Sequence, residues 1–260
     1  MDRPRPDGAF VGNPYHRDTP VHIGLPAARR RRRLVAASLA AALIGSVAVD
    51  RIVAAHAESR IAAAFQDGMA TADRPTVHVS GFPVLTQLAG SSLDHVDLTA
   101  HDIPANGTTR PLPVTKLTVG LDGLRTSGSA DEAHARSVEA TAFLSYDDVS
   151  NALGVRTSQG NEAGRINATA TMPLAGDVTV SAAVSAARGN RIAFTDVRPV
   201  RGELPASLTA LLNKALEEPV PLENVPAGLR LRSVTPTRDG IEADFTGRSV
   251  TFRPGSAATA

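Results

Sequence analysis

The chain of 260 residues contains no cysteine and no tryptophan, and aromatic residues make up 3% of it. Without cysteine there are no disulfides, no thiolate metal ligands and no cysteine nucleophile. So few aromatics exclude the stacking platforms that hold single-stranded nucleic acid or sugars, and leave a core to be built from Val, Leu, Ile and Ala. Lysine is nearly absent too, with only Lys116 and Lys214. The net charge of +1 is unevenly placed: residues 1–33 hold eight of the 27 basic residues and three of the 26 acidic ones, so the remainder is mildly acidic. That remainder makes no electrostatic footprint for nucleic acid, which is excluded as a partner. What the chain does have is 42% apolar content, enough over this length to bury a core.

The basic excess ends in Arg29, Arg30, Arg31, Arg32 and Arg33, and residues 34–49 after it carry no charge. This pairing reads as an export or anchoring signal, with the Arg run kept in the cytoplasm and everything after Val49 delivered to the outer face. Residues 1–33, with scattered Pro, Gly and Asp, then form a disordered basic cytoplasmic tail. The uncharged run spans about 24 Å as a helix, short of the roughly 30 Å hydrocarbon core, which favours a cleaved signal sequence. Against cleavage, the small-residue site Ala55-His56-Ala57 lies well past the apolar run, and a helical pattern continues through Asp50-Arg51. A single transmembrane anchor over residues 34–53 is the favoured reading, with Ile52 and Val53 extending the span as Arg51 snorkels.

From Asp50 onward Val53, Ala57, Ile61, Ala64, Phe65 and Met69 recur at helical spacing, with Glu58 near the opposite side and Arg60 inside the stripe. The stripe is expected to pack on the domain's own sheet. Beyond Arg74-Pro75 the period becomes two. Val96, Leu98 and Ala100 alternate with polar residues, as do Leu117, Val119 and Leu121, then Val138, Ala140, Ala142 and Leu144. Further alternating runs start at Ile166, Val178, Ile192, Leu229, Ile241 and Val250, with turn signals at Gly189-Asn190 and Asp239-Gly240. One wet and one dry face mark antiparallel sheet. Two helices interrupt it: a short one opened by Ser145-Tyr146-Asp147-Asp148 and closed near Gly154, and a longer one from Pro205 through Leu208, Leu211, Leu212 and Leu216. The fold class is therefore α+β, a long curved antiparallel sheet of roughly nine or ten strands packed on two or three helices. Residues 54–252 form the extracytoplasmic domain and residues 253–260 a disordered C-terminal tail.

His95, Asp97 and His101 share a strand face, yet six residues of strand put the two histidines about 20 Å apart, too far for one coordination sphere. No metal site and no cofactor is expected. No nucleophile elbow, phosphate loop, dinucleotide glycine pattern or metalloprotease helix is present. A triad assembled from distant residues stays open, because triads are spatial.

Two apolar stretches carry more. Gly81-Phe82-Pro83-Val84-Leu85-Thr86-Gln87-Leu88 forms a turn between the first two strands, either a plug at the end of the sheet or the mouth of a ligand cavity. Pro219-Val220-Pro221-Leu222 and Val225-Pro226-Ala227-Gly228-Leu229-Arg230-Leu231 form a Pro-rich connection into a strand. With the preceding Asp50-Arg51 helix, the segment at 81–87 and the Pro-x-Gly-Leu-Arg-Leu-x-Ser-Val segment at 226–234, followed by Asp239-Gly240, resemble the actinobacterial LmeA-like phospholipid-binding proteins. The segment at 81–87 is the more specific of the two.

The resemblance implies an envelope protein that binds phospholipid, phosphatidylinositol-type lipids among them, and supports maturation of mannose-containing lipoglycans. It also implies kinship with tubular lipid-binding folds, in which a curved sheet wraps a long helix around an apolar cavity. A dry face rich in Ala and Val is compatible with such space. The candidate lipid-binding residues are Phe82, Pro83, Val84, Leu85 and Leu88 in the turn, Val96, Leu98, Val119 and Leu121 on the dry face, and Arg60 for an anionic group. The expected function is non-enzymatic lipid binding at the membrane. The alternatives are an enzyme acting on envelope lipid or glycan and a structural adaptor for glycosyltransferases. Neither the protein partners nor the lipid can be read from the sequence.

Overall fold

The computed structural model describes residues 27–104, 113–126, 132–172, 176–202, 219–222 and 225–252. The expected helix from Pro205, residues 1–26 of the N-terminal tail, the C-terminal tail and most of the loop between Pro104 and Pro113 lie outside the described residues, whereas residues 27–33, placed in the N-terminal tail on sequence, are helical. The chain divides into two units, Met1–Ser46 and Val47–Ala260. What is described of the first is the opening part of α1 (Ala27–Met69), whose Leu39, Leu43 and Ile44 are exposed. Among the described residues one helix, over Ala37–Met69, is long and apolar enough to cross a membrane.

In the second unit, α1 ends at Met69, where Gln66 O accepts from Thr71 N and the chain turns through Ala70 at φ 51°. Strand β1 (Thr76–Ser80) follows, then α2 (Val84–Ala89), which replaces the expected simple turn. Next come β2 (Ser92–Ile103), β3 (Val114–Thr126) and β4 (Ala133–Ser145). Helix α3 (Tyr146–Leu153) starts as its sequence predicts: Ser145 Oγ accepts from Asp148 N at 3.1 Å, and Gly154 closes the helix at φ 69°. Strands β5 (Arg156–Gln159), β6 (Arg165–Met172), β7 (Gly176–Ala187), β8 (Arg191–Pro199) and β9 (Val220–Pro221) lead to β10 (Ala227–Pro236) and β11 (Gly240–Phe252).

The α+β antiparallel class is what the chain adopts, with its strands shared between two sheets. One has the order β1-β2-β3-β4-β11-β10 and the other β5-β6-β7-β8-β9, and every pairing between neighbours is antiparallel. Asn190, in the β7–β8 turn, joins them. Its Nδ2 donates to Leu229 O at 3.0 Å and its Oδ1 accepts from Leu231 N at 2.8 Å, while its backbone carbonyl accepts from Leu222 N after β9. The three-residue turn, Arg188 to Asn190, thus ties one sheet to the edge of the other.

Two core clusters result. In the first, Ala54 and Ala62 of α1 meet Val77, Val79, Val84, Leu93, Val96, Leu98, Leu121, Val138 and Val250. In the second, Tyr146 and Val149 of α3 meet Leu144, Ile166, Val184, Ile192, Val234 and Ile241. The helical stripe packs on the sheet as expected through Ala57, Ile61, Phe65 and Met69, although Ala64 is exposed. Glu58 faces the sheet rather than away from it: Oε1 accepts from Val79 N at 2.9 Å. It thereby satisfies a backbone donor on edge strand β1, which would otherwise invite another strand.

Candidate functional site

The segment at 81–88 owes its shape to its polar and special residues. Gly81 sits at φ +102°, and a Cβ there would lie 2.5 Å from Gln87 Nε2, so only glycine lets the Gln87 amide fold across it. Gln87 Oε1 then accepts from Asp94 N at 2.8 Å, tying α2 to the start of β2. The Phe82-Pro83 peptide is cis. Pro83 O accepts from Thr86 Oγ1 at 2.9 Å, and Leu85 N donates to Asp50 Oδ1 of α1 at 3.0 Å.

This scaffold sorts the apolar residues into two groups. Val84 is 0% exposed within the first core cluster, while Phe82, Leu85 and Leu88 are 58%, 50% and 38% exposed. One buried and three outward apolar residues thus share this short segment. Pro83 is exposed beside them as the residue that opens α2.

The dry face of the six-stranded sheet brings together the other apolar candidates. One cross-strand row reads Leu98, Val119, Ala140, Phe245 and Leu231; the next reads Ala100, Leu117, Ala142, Ala243 and Val234. Val96 and Leu121 pair one step further along. Val96, Leu98 and Leu121 are buried, whereas Val119 keeps partial exposure. So do Leu117, Leu231 and Phe245, which border the buried Ala100, Ala140, Ala142 and Ala243. Val114 and Leu117 pack on both core clusters. Inward-facing side chains that keep accessible surface can be covered further by another apolar body, such as an acyl chain. Leu117, Leu231 and Phe245 thus belong with the candidates, and the period-two alternation is the signal that finds them. Arg60 is exposed on α1, outside this grouping.

The wet face of the same sheet carries a cluster of ionisable groups. His95 Nδ1 lies 2.6 Å from Asp122 Oδ1 and its Nε2 lies 3.1 Å from Asp97 Oδ1, while Ser137 Oγ donates to Asp122 Oδ2 at 3.0 Å. Hydrogen bonding to Asp122 raises the His95 pKa above its usual 6.5, and the same bond, followed by that from Ser137, lowers Asp122 below 3.8. Ser137 donates to the acid and both imidazole nitrogens face carboxylates, so this serine has no base to activate it. Among the described residues no group of three or more His, Cys, Asp or Glu could hold a metal ion.

A second polar anchor is structural. Arg165 is 6% exposed and gives hydrogen bonds to Ser181 Oγ, Ser181 O, Asp196 Oδ2 and Asp196 O, pinning β6 to β7 and β8 where their register shifts.

No curated protein and no solved structure matches this chain. A family model described as LmeA-like phospholipid-binding matches residues 48–246, from just before Asp50 into β11, and so takes in the 81–88 segment, both sheets and the Asn190 junction. On that match over most of its length, the chain belongs to the LmeA-like phospholipid-binding family.

Proposed function

We propose that this chain is a single-pass membrane protein whose extracytoplasmic domain binds phospholipid along the dry face of the six-stranded sheet, without catalysing a reaction. The carrying observation is the set of half-buried, inward-facing Leu117, Val119, Leu231 and Phe245 around a floor of alanines. An acyl chain laid there gains about 0.8 kcal/mol for each CH₂ it buries. The family match supports the phospholipid ligand. The uncharged run at residues 34–49 behind five arginines supports an anchor with its N-terminus in the cytoplasm. In this reading the helix and sheet form a tubular lipid-binding arrangement, the lipids include phosphatidylinositol types, and the protein serves maintenance of the envelope and its mannose-containing lipoglycans.

The test uses the full chain in phosphatidylcholine vesicles containing a phospholipid with a photoreactive acyl chain. Crosslinks are expected on peptides carrying Leu117 and Val119 and on those carrying Leu231 and Phe245, and unlabelled phosphatidylinositol should compete better than phosphatidylcholine. Crosslinks confined to residues 34–53 are what any anchor gives, and would remove the dry-face site.

A further inference from the structure

The outward face of α2 is not used by lipid binding on the dry face. Phe82, just ahead of α2, and Leu85 and Leu88 on it are exposed, in a segment whose shape is held by Gly81, Gln87 and the buried Val84. Its level along α1 is set by the bond from Leu85 N to Asp50 Oδ1. Asp50 is the first charged residue after the uncharged run at residues 34–49. On α1 itself Val47, Val49 and Ile52 are exposed on either side of it. Exposed apolar residues from two parts of the chain therefore flank the bond between Asp50 and Leu85.

We infer that Phe82, Leu85 and Leu88 form a wedge that enters the lipid surface beside α1 and seats the domain against the outer leaflet. The occupant is a bilayer because the patch is tied through Asp50 to the exposed Val47, Val49 and Ile52 of α1, at the end of the uncharged run and just past it. From Val47 to Ile52 the helix rises about 7.5 Å, which falls within the roughly 5–10 Å to which interfacial helices bury their apolar faces. Asp50 suits the position: it is 2% exposed, with its carboxylate turned to α2 rather than to lipid phosphates, while the neighbouring Arg51 is exposed and free to meet them. The wedge fixes the domain's orientation as well as its distance, since a single helix alone leaves the domain free to tilt.

This inference rests on the anchor reading, and the experiment separates the two. The chain has no cysteine, so single substitutions Leu43→Cys, Leu85→Cys, Leu88→Cys and Asn161→Cys each take one environment-sensitive fluorophore. The full chain is reconstituted in phosphatidylcholine–phosphatidylglycerol vesicles doped with shallow or deep spin-labelled lipid, and circular dichroism confirms that each labelled variant is folded. Labels at 85 and 88 should shift to the blue and be quenched several-fold more by the shallow probe than the label at 161, and the label at 43 more by the deep probe. Quenching at 43 with labels at 85 and 88 resembling 161 overturns the wedge and leaves the anchor standing. Quenching at 85 and 88 without quenching at 43 overturns the anchor and leaves the wedge as a peripheral contact. No quenching at any site overturns both.

Discussion

Asp50 Oδ1 accepts the backbone N–H of Leu85 at 3.0 Å, joining α1 to α2 across 35 residues of chain. Its other oxygen, Oδ2, is buried and has no hydrogen-bond partner among the described residues. Asp50→Ala strands the Leu85 N–H and should lower stability by about 1–3 kcal/mol. Asp50→Asn keeps an acceptor for that N–H, so it should stay much closer to the parent. Denaturation of the full chain in detergent micelles checks both, and equal losses in the two variants would contradict the hydrogen-bond account.

Three substitutions within one short segment separate buried from outward positions. Val84→Asp buries an unpaired charge among Val79, Val96 and Leu93 and should lower the melting temperature sharply or prevent folding. Phe82→Asp and Leu85→Asp fall on exposed positions and should keep the melting temperature near that of the parent while weakening vesicle association. A collapse of Phe82→Asp comparable to that of Val84→Asp would show that the outward residues serve the core.

The His95 and Asp122 pair predicts a pH window. His95 is raised above 6.5, so its contribution is complete below 6.5 and is lost as pH rises through the raised value. Asp122 is lowered below 3.8, so its contribution is present above 3.8 and is lost as pH falls through the lowered value. Both groups are substantially exposed, and the effect is small. The melting-temperature difference between the parent and His95→Gln should therefore be largest near about pH 5 and shrink towards about pH 8. An NMR titration placing His95 at or below 6.5 would refute the pairing.

Asn190 combines a left-handed backbone, φ 55°, with two side-chain bonds to β10. Asn190→Gly keeps the conformation and loses only the bonds, for about 1–3 kcal/mol. Asn190→Ala loses the bonds and also strains the turn, and should cost more. Amide exchange at Leu231 should accelerate in both. Unchanged exchange there would mean that the sheets are held together without Asn190.

Topology gives the remaining test. An alkaline phosphatase fusion after Ala260 should be active outside the cytoplasm, and the chain should stay with membranes after carbonate washing. Activity of a cytoplasmic reporter at the same position would reverse the orientation. A washed-out product starting near Glu58 would convert the anchor into a cleaved signal.

Local patterns decided what could be read from the sequence alone. The alternation at Val96, Leu98 and Ala100 or at Val138, Ala140 and Ala142 names strands and their dry face, because side chains on a strand alternate whatever the strand pairs with. Ser145 with Asp148 and Gly154 marks both ends of α3, since caps use neighbours within a few residues. The tertiary structure decided the rest. Alternation does not encode a partner, so the pairing of β4 with β11 and the division into two sheets depend on contacts between distant segments. Six residues are too few to show a helical period, so α2 and the opposite fates of Val84 and Leu85 could not be separated in advance. Asp50 reads as the polar end of an apolar run; only the arrival of Leu85 from 35 residues further on makes it a buried hydrogen-bond acceptor.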